Sequence, residues 1–261
     1  HQLDTGTQNA FFTLLSGLTS VADWIGSMEE HFPYQEAPQD EAEYAIQARL
    51  QARHALVELN WMGWQPPNEP STFADLFALP GPRPMQEQVI ELAERLDRPA
   101  LVIIEAPTGV GKTEAALYLA DHWARVLQQR GLYVAMPTMA TSNQMFGRVG
   151  DVLSRRYPEM TVEPLLVHSQ ARWSHKKPPP EIHVSRQGIR DRDQEIDSMA
   201  WFLPRKRSLL APFGVGTVDQ TFLSVLQTRH FFVRLFGLSH KTLIFDEVHA
   251  YDTYMSELFQ R

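Results

Sequence analysis

Apolar residues divide the chain into regions of different periodicity. Phe11, Phe12, Leu14, Leu15, Leu18, Val21, Ala22 and Ile25 recur at helical spacing, as do Ala45, Ala48, Leu50, Ala52, Ala55, Leu56 and Leu59. Phe32-Pro33-Tyr34 and Pro38 break the pattern between these two stretches. Next come Pro66, Pro67, Pro70, Pro80, Pro82 and Pro84. Proline fixes φ and lacks an amide donor, so this density predicts an extended connector. The pattern therefore predicts a helical segment over 1–66, a linker over 67–84 and a further domain over 85–261. In that last region the period alternates. Met85–Leu96 and Thr113–Arg130 read as helices, the second with Ala116, Leu119, Trp123 and Val126 on one face and Gly131 as its stop. Ala100–Glu105 (ALVIIE) is a continuous apolar run bounded by Pro99 and Pro107, as buried strands are. Leu132–Met136, Val162–Val167, Ser208–Ala211 and Thr242–Phe245 read as further strands. Strands alternating with helices predict an α/β fold, a parallel sheet flanked by helices.

Composition narrows this picture by exclusion. The net charge of −7 argues against a pervasive basic coat but leaves room for a locally basic groove. The chain has no cysteine, which removes disulfides, thiolate metal sites and thiol nucleophiles and makes a reducing compartment the expected home. No apolar run is long enough for a membrane span, so a cytoplasmic location and no membrane partner are expected. The 10 histidines are scattered without an HExxH pair, and no zinc site is expected from them. Between Arg172 and Arg207 basic residues outnumber acidic ones, with Trp173, Trp201 and Phe202 nearby. Such a stretch can track a single nucleic-acid strand, but its mixed signs favour a solvated insertion. Trp61, Trp64 and Phe73 read as packing between domains.

One segment carries specific chemistry. Ala106-Pro107-Thr108-Gly109-Val110-Gly111-Lys112-Thr113 follows the ALVIIE run and opens a helix, the context of a phosphate-binding P-loop with Ala in the first glycine position. The glycines let main-chain amides wrap phosphates, and the helix N-terminus adds partial positive charge. Lys112 is placed to bridge β- and γ-phosphates, and the Thr113 hydroxyl to ligate Mg2+. The expected cofactors are therefore ATP and Mg2+.

Such a loop needs a carboxylate for the metal and a group that orients the attacking water. Thr242–Phe245 ends in Asp246-Glu247-Val248-His249. Asp246 is the expected metal carboxylate, Glu247 the residue that polarises water, and His249 the link from nucleotide state to a nucleic-acid side. An Asp-Glu pair after a strand is commonly a solvated loop or cap; downstream of an intact P-loop the paired site is the stronger reading. Asp-Glu-x-His points to superfamily 2 helicases.

With these residues in place, the chain resembles the signature helicase–nuclease of type I CRISPR–Cas systems. The resemblance rests on Asp246–Met255 (DEVHAYDTYM), on Leu209–Gln220 (LLAPFGVGTVDQ) followed by Arg229-His230, and on Met136–Phe146 (MPTMATSNQMF). It implies that Gln86 reads adenine, and that Pro137, Thr138, Thr141, Gly216 and Thr217 contact a single-strand backbone. The alternatives are a surface helix residue for Gln86 and turn chemistry at strand ends for the others. It also implies that residues 1–66 are the C-terminal remnant of an HD-type nuclease domain. Leu18–Ser27 would be its last helix, and Asp23 would match a ligand of a divalent transition metal. The chain has no His-Asp dipeptide, and one carboxylate cannot assemble a metal centre; the structural reading of Asp23 is therefore preferred and nuclease chemistry is not expected of this chain.

The resemblance implies a parent protein that is an ATP-dependent single-stranded-DNA translocase and helicase, with a fused nuclease, recruited by an RNA-guided CRISPR surveillance complex. Residues 85–261 would be an incomplete first RecA-like lobe, lacking the second lobe and its arginine finger. Two alternatives stay open: a nucleotide-binding fragment without turnover, or another superfamily 2 DNA or RNA helicase.

Overall fold

The computed structural model describes residues 4–34, 40–61, 64–158, 164–167, 202, 207–226 and 228–260. The chain divides into two compact units. One contains residues 1–64, 174–211 and 223–239, the other 65–173, 212–222 and 240–261.

In the first unit, helix α1 (Thr5–Gly26) starts at Asp4, whose carboxylate accepts from the Thr7 amide at 3.0 Å. Helix α2 (Glu41–Glu58) starts likewise at Asp40, which accepts from the Ala42 amide at 2.8 Å. Such caps satisfy amides that the first turn leaves without partners. The apolar stripe of α1 is only partly covered. Gly17, Val21 and Ile25 are buried, whereas Phe11, Phe12, Leu15 and Leu18 are exposed. Gly17 permits a close approach, because a Cβ there would lie 2.4 Å from Phe236 Cβ. Trp61 stacks on Phe202 at 6.0 Å between ring centroids.

The second unit is built on a parallel sheet in the order β2-β3-β1-β4, with β1 Leu132–Met136, β2 Leu165–Val167, β3 Phe213–Thr217 and β4 Thr242–Phe245. Helices α3 (Phe73–Phe77), α4 (Pro84–Arg95), α5 (Lys112–Val126) and α6 (Met139–Arg156) flank it. All residues of β1 and β3 are buried. Tyr133, Val134, Val215, Met145, Val149 and Leu153 form the core beside them. Helices α7 (Asp219–Val225), α8 (Phe231–Leu238), which packs on α1, and α9 (Thr253–Gln260) complete the described elements. This is the α/β fold expected from the sequence. Among the described residues, no helix is long and apolar enough to cross a membrane.

Several local expectations differ from the structure. The Pro-rich stretch contains α3, closed by a capping box in which Thr72 and Asp75 exchange amide and side-chain bonds at 2.9 and 3.2 Å. Burial of Phe73 and Leu76 holds this turn in place. Ser208–Leu210 is a 3-10 turn and the strand follows at Phe213. Helix α5 stops at Val126, short of Arg130, because Gln128 takes a left-handed φ of 53°. Residues 101–105 form no strand among the described residues. Val102 and Ile104 pack on Val89, Ala93, Ala115, Leu119 and Trp123, while Leu101 and Ile103 are 86% and 75% exposed. Of the Val162–Val167 expectation, Leu165–Val167 is a strand and 162–163 lie outside the described residues. Most of Arg172–Arg207 also lies outside them.

Candidate functional site

The P-loop and the Asp-Glu-x-His segment both belong to the second unit. Gly109 and Gly111 take φ of +80° and +92°, turns that carry the chain from the 101–105 segment into α5 at Lys112. The Lys112 ammonium donates to the carbonyls of Ala106 at 2.7 Å and Pro107 at 3.0 Å, so its charge lies within the curl of the loop. Thr108 and Gly109 are exposed and Val110 half-buried at the rim.

Gln86 locks this loop to α4. Its amide donates to the Gly111 carbonyl at 3.0 Å and accepts from the Arg83 amide at 2.8 Å. The Arg83 guanidinium in turn donates to the Gly109 carbonyl. Gln86 is 2% exposed, which excludes the surface-helix alternative. Its bonds to Gly111 and Arg83 support the loop.

Thr113 Oγ1, one residue into α5, donates to Asp246 Oδ2 at 2.9 Å. Asp246 is placed by the sheet, since its amide continues the ladder to the Ala135 carbonyl at 3.1 Å. A hydroxyl and a carboxylate at this separation are hard oxygen donors of the kind Mg2+ selects. Their chemistry fits the ion expected with a bound triphosphate. Glu247 follows in a left-handed conformation with φ 52°. Its amide donates to Asp246 Oδ1 at 2.8 Å, and its side chain is exposed, as is His249.

Tyr251 is a neighbour to which sequence reasoning gives no role. Its phenol is buried without a hydrogen-bond partner. Burial and, secondarily, the Asp246 charge push its proton loss far above the usual phenol range. A neutral phenol is thus buried near enough to Asp246 to sense its charge. The only sequence signal was its place in the DEVHAYD run.

Parallel register puts the remaining candidates at the same edge. Met136 pairs with Thr217 and Ala135 with Phe245, so the residues after β1, β3 and β4 emerge together at the carboxyl ends of the strands. In open α/β sheets that edge is where ligands bind. Thr138 is exposed and caps α6, exchanging bonds with Thr141 through the Thr138 hydroxyl and Thr141 amide at 3.2 Å and the reverse pair at 3.3 Å. Pro137 is half-buried beside it. Gly216 and Thr217 are buried within β3. The Tyr133 hydroxyl donates to the Thr217 carbonyl at 3.1 Å, and a Cβ on Gly216 would lie 2.0 Å from the Val167 carbonyl. Asp23 is exposed on α1 in the first unit and joins no group of three metal-ligating side chains among the described residues.

Known proteins share this arrangement. Residues 83–260 match the DEAD/DEAH box helicase family. The CRISPR-associated endonuclease/helicase Cas3 of Thermus thermophilus is 42% identical over 93% of this chain, which covers 26% of that protein. The crystal structure of T. fusca Cas3-ADP superposes with a TM-score of 0.75 at 32% identity, over 95% of this chain and 27% of that one. A chain of a CRISPR RNA-guided surveillance complex in a pre-nicking state superposes at 0.58 and 28% identity, over 95% of this chain and 22% of that one. The chain thus spans about a quarter of the length of these relatives. With residues 83–260 matched, about two thirds of its length, the chain belongs to the DEAD/DEAH box helicase family.

Proposed function

We propose that the chain is the ATP-binding part of a motor that translocates on single-stranded DNA and unwinds it. The parent protein would act in the cytoplasm with an RNA-guided CRISPR surveillance complex and degrade the DNA through a fused nuclease domain. The observation that carries the nucleotide reading is the 2.9 Å hydrogen bond from Thr113 to Asp246, which joins two segments 133 positions apart into one site. Relatives crystallised with ADP support the same reading.

In this mechanism the P-loop amides and Lys112 hold the β- and γ-phosphates, and Thr113 with Asp246 would hold Mg2+. When bound, Mg2+ neutralises charge on the phosphate oxygens. Glu247, exposed beside Asp246, positions water for attack on the γ-phosphate. Gln86 is proposed to face adenine with the amide hydrogen left over from its bond to Gly111. His249, next to Glu247, carries the nucleotide state toward DNA. The strand backbone would run along the carboxyl edge of the sheet, gripped at Pro137, Thr138 and Thr141, with Gly216 and Thr217 proposed to meet it at the end of β3, where the structure buries both. Hydroxyls and amides grip phosphates without reading sequence.

The exposed Phe11, Phe12, Leu15 and Leu18 support assigning residues 1–66 to a larger nuclease domain, with 67–84 as connector and 85–261 as the lobe, although residues 223–239 of that span cluster with the first unit. Asp23 would ligate the nuclease metal only with partners outside this sequence.

A second reading applies to the 261-residue chain by itself: nucleotide binding without turnover. The 101–105 segment favours it, because among the described residues no strand pairs with it to brace the loop. ATP hydrolysis with and without single-stranded DNA separates the readings, with Lys112→Ala and Glu247→Gln as controls. DNA-stimulated turnover lost in both variants supports a working motor. Binding that needs Lys112, with no turnover, supports the half-site. Binding indifferent to Lys112 would overturn the nucleotide site altogether.

A further inference from the structure

The first unit holds a side-chain cluster that the nucleotide site does not use. His31, His54 and Glu58 each present a ligand atom, all within 4.8 Å of one another. His31 Nδ1 lies 3.1 Å from Glu58 Oε2, and His54 Nε2 lies 3.4 Å from Glu58 Oε1. Two imidazoles and a carboxylate about a tetrahedral zinc ion, bonded at roughly 2.0–2.2 Å, are separated by about 3.3 Å. The two short contacts run to different oxygens of Glu58, and with one donor atom per residue the set lies within 4.8 Å, so modest side-chain rotations bring the three donors to that spacing.

The cluster is held by local structure. His54 and Glu58 are one helical turn apart in the last turn of α2, so they share a face. His31 is fixed in the turn after α1, where its amide donates to the Met28 carbonyl at 3.0 Å. Its side chain is only 8% exposed, and its Nε2 is buried with no hydrogen-bond partner. That nitrogen faces Glu30 Oε1 at 3.6 Å, too far for a hydrogen bond but near enough to close into one. A histidine that binds metal through one nitrogen characteristically donates from the other to a carboxylate, which fixes its tautomer. Glu30 stands where that carboxylate is required.

We propose that His31, His54 and Glu58 bind a borderline divalent metal, Zn2+ by ligand type, with Glu30 as the outer carboxylate and water completing the shell. Two imidazoles with one carboxylate suit Zn2+ over Mg2+ or Ca2+, which favour all-oxygen shells. Three protein ligands leave an open position. The ion would clip the turn after α1 to the end of α2. The absence of an HExxH motif does not exclude the site, because it joins a turn to a His-x-x-x-Glu pair.

The test is a titration of the 261-residue chain with Co2+, followed by its visible d–d absorption, and then competition with Zn2+. Excess Mg2+ is present throughout to occupy oxygen-only sites. One saturable equivalent is expected, displaced by Zn2+. His54→Ala and Glu58→Gln should each weaken it by more than about tenfold, and Glu30→Gln by about 10–100-fold. His54 is 71% exposed, so its replacement should leave the far-UV circular dichroism unchanged. No saturable equivalent in the wild-type chain would overturn the proposal, leaving a plain hydrogen-bonded cluster. So would an equivalent that survives His54→Ala and Glu58→Gln undiminished.

Discussion

Replacing Gly111 with alanine puts one methyl group at the tightest point of the phosphate loop. Gly111 sits at φ +92°, where an L-residue costs about 1–2 kcal/mol. Its Cβ would also lie 2.1 Å from Gln86 Nε2, a contact no rotation of the methyl relieves. The Gln86 amide must move, and it then loses its bonds to the Gly111 carbonyl and the Arg83 amide. Each is worth about 1 kcal/mol net. A loop that escapes this strain by refolding locally must be driven back when phosphates bind. The cost therefore appears as lost affinity, about 3 kcal/mol or roughly a hundredfold in Kd. The assay is binding of a fluorescent ATP analogue, run beside urea denaturation to separate loop damage from global loss. Gln86→Ala supplies the internal check. If the clash is the cause, adding Gln86→Ala to Gly111→Ala costs little more, because the same two bonds are already lost, so the two single losses do not add. Wild-type affinity in Gly111→Ala, or fully additive losses in the double variant, would refute this account of the loop.

Three further substitutions probe the second unit. Arg156 and Asp121 pair at 2.8 Å with both side chains 13% exposed, and Arg156 also donates to the Glu69 carbonyl at 2.6 Å. Arg156→Ala should cost about 3 kcal/mol in urea denaturation by leaving the Asp121 carboxylate with only the Ser71 hydroxyl, which donates to it at 2.6 Å. Gly216→Ala forces a methyl between the Val167 carbonyl and the Tyr133 hydroxyl and should cost about 1–3 kcal/mol, read as a lower thermal midpoint. Burial pushes the Lys241 ammonium down to about 7 from its ordinary 10.5, so between those values the unfolded chain carries more protons than the folded one. Stability should then rise from pH 7 toward pH 10, by at most about 1.4 kcal/mol per pH unit, and Lys241→Met should remove that slope.

The strands that were legible in the sequence, Leu132–Met136 and Thr242–Phe245, are runs of mostly apolar residues with no glycine among them. Leu132–Met136 is central in the sheet, and Thr242–Phe245 pairs beside it. Phe213–Thr217 escaped notice because two of its five residues are glycine, which lowers strand propensity. The glycines are there for packing: a Cβ on Gly214 would lie 2.8 Å from the Tyr133 ring, and one on Gly216 closer still to the Val167 carbonyl. Those requirements come from residues 81 and 49 positions away and leave no mark in local periodicity. Ala100–Glu105 shows the converse. Its apolar run has strand character, and its side chains alternate between packed and exposed, yet pairing is decided by which backbone lies alongside.

The site divides along the same line. Lys112, Thr113, Asp246 and Glu247 are proposed from sequence alone because phosphate and metal chemistry would demand those residue types in that order, whatever surrounds them. Gln86 and Tyr251 act through their surroundings. Gln86 spans two main-chain groups 25 and 3 positions away, and only the fold shows that its amide is enclosed. Tyr251 matters because its ring is buried near the Asp246 charge. Both hold the reactive groups in register: one fixes the loop that carries Lys112, the other is buried near the carboxylate that meets Thr113. Substituting such residues should shift nucleotide affinity and loop stability together. Substituting Glu247, exposed and free of main-chain support duties, should remove turnover while leaving affinity in place.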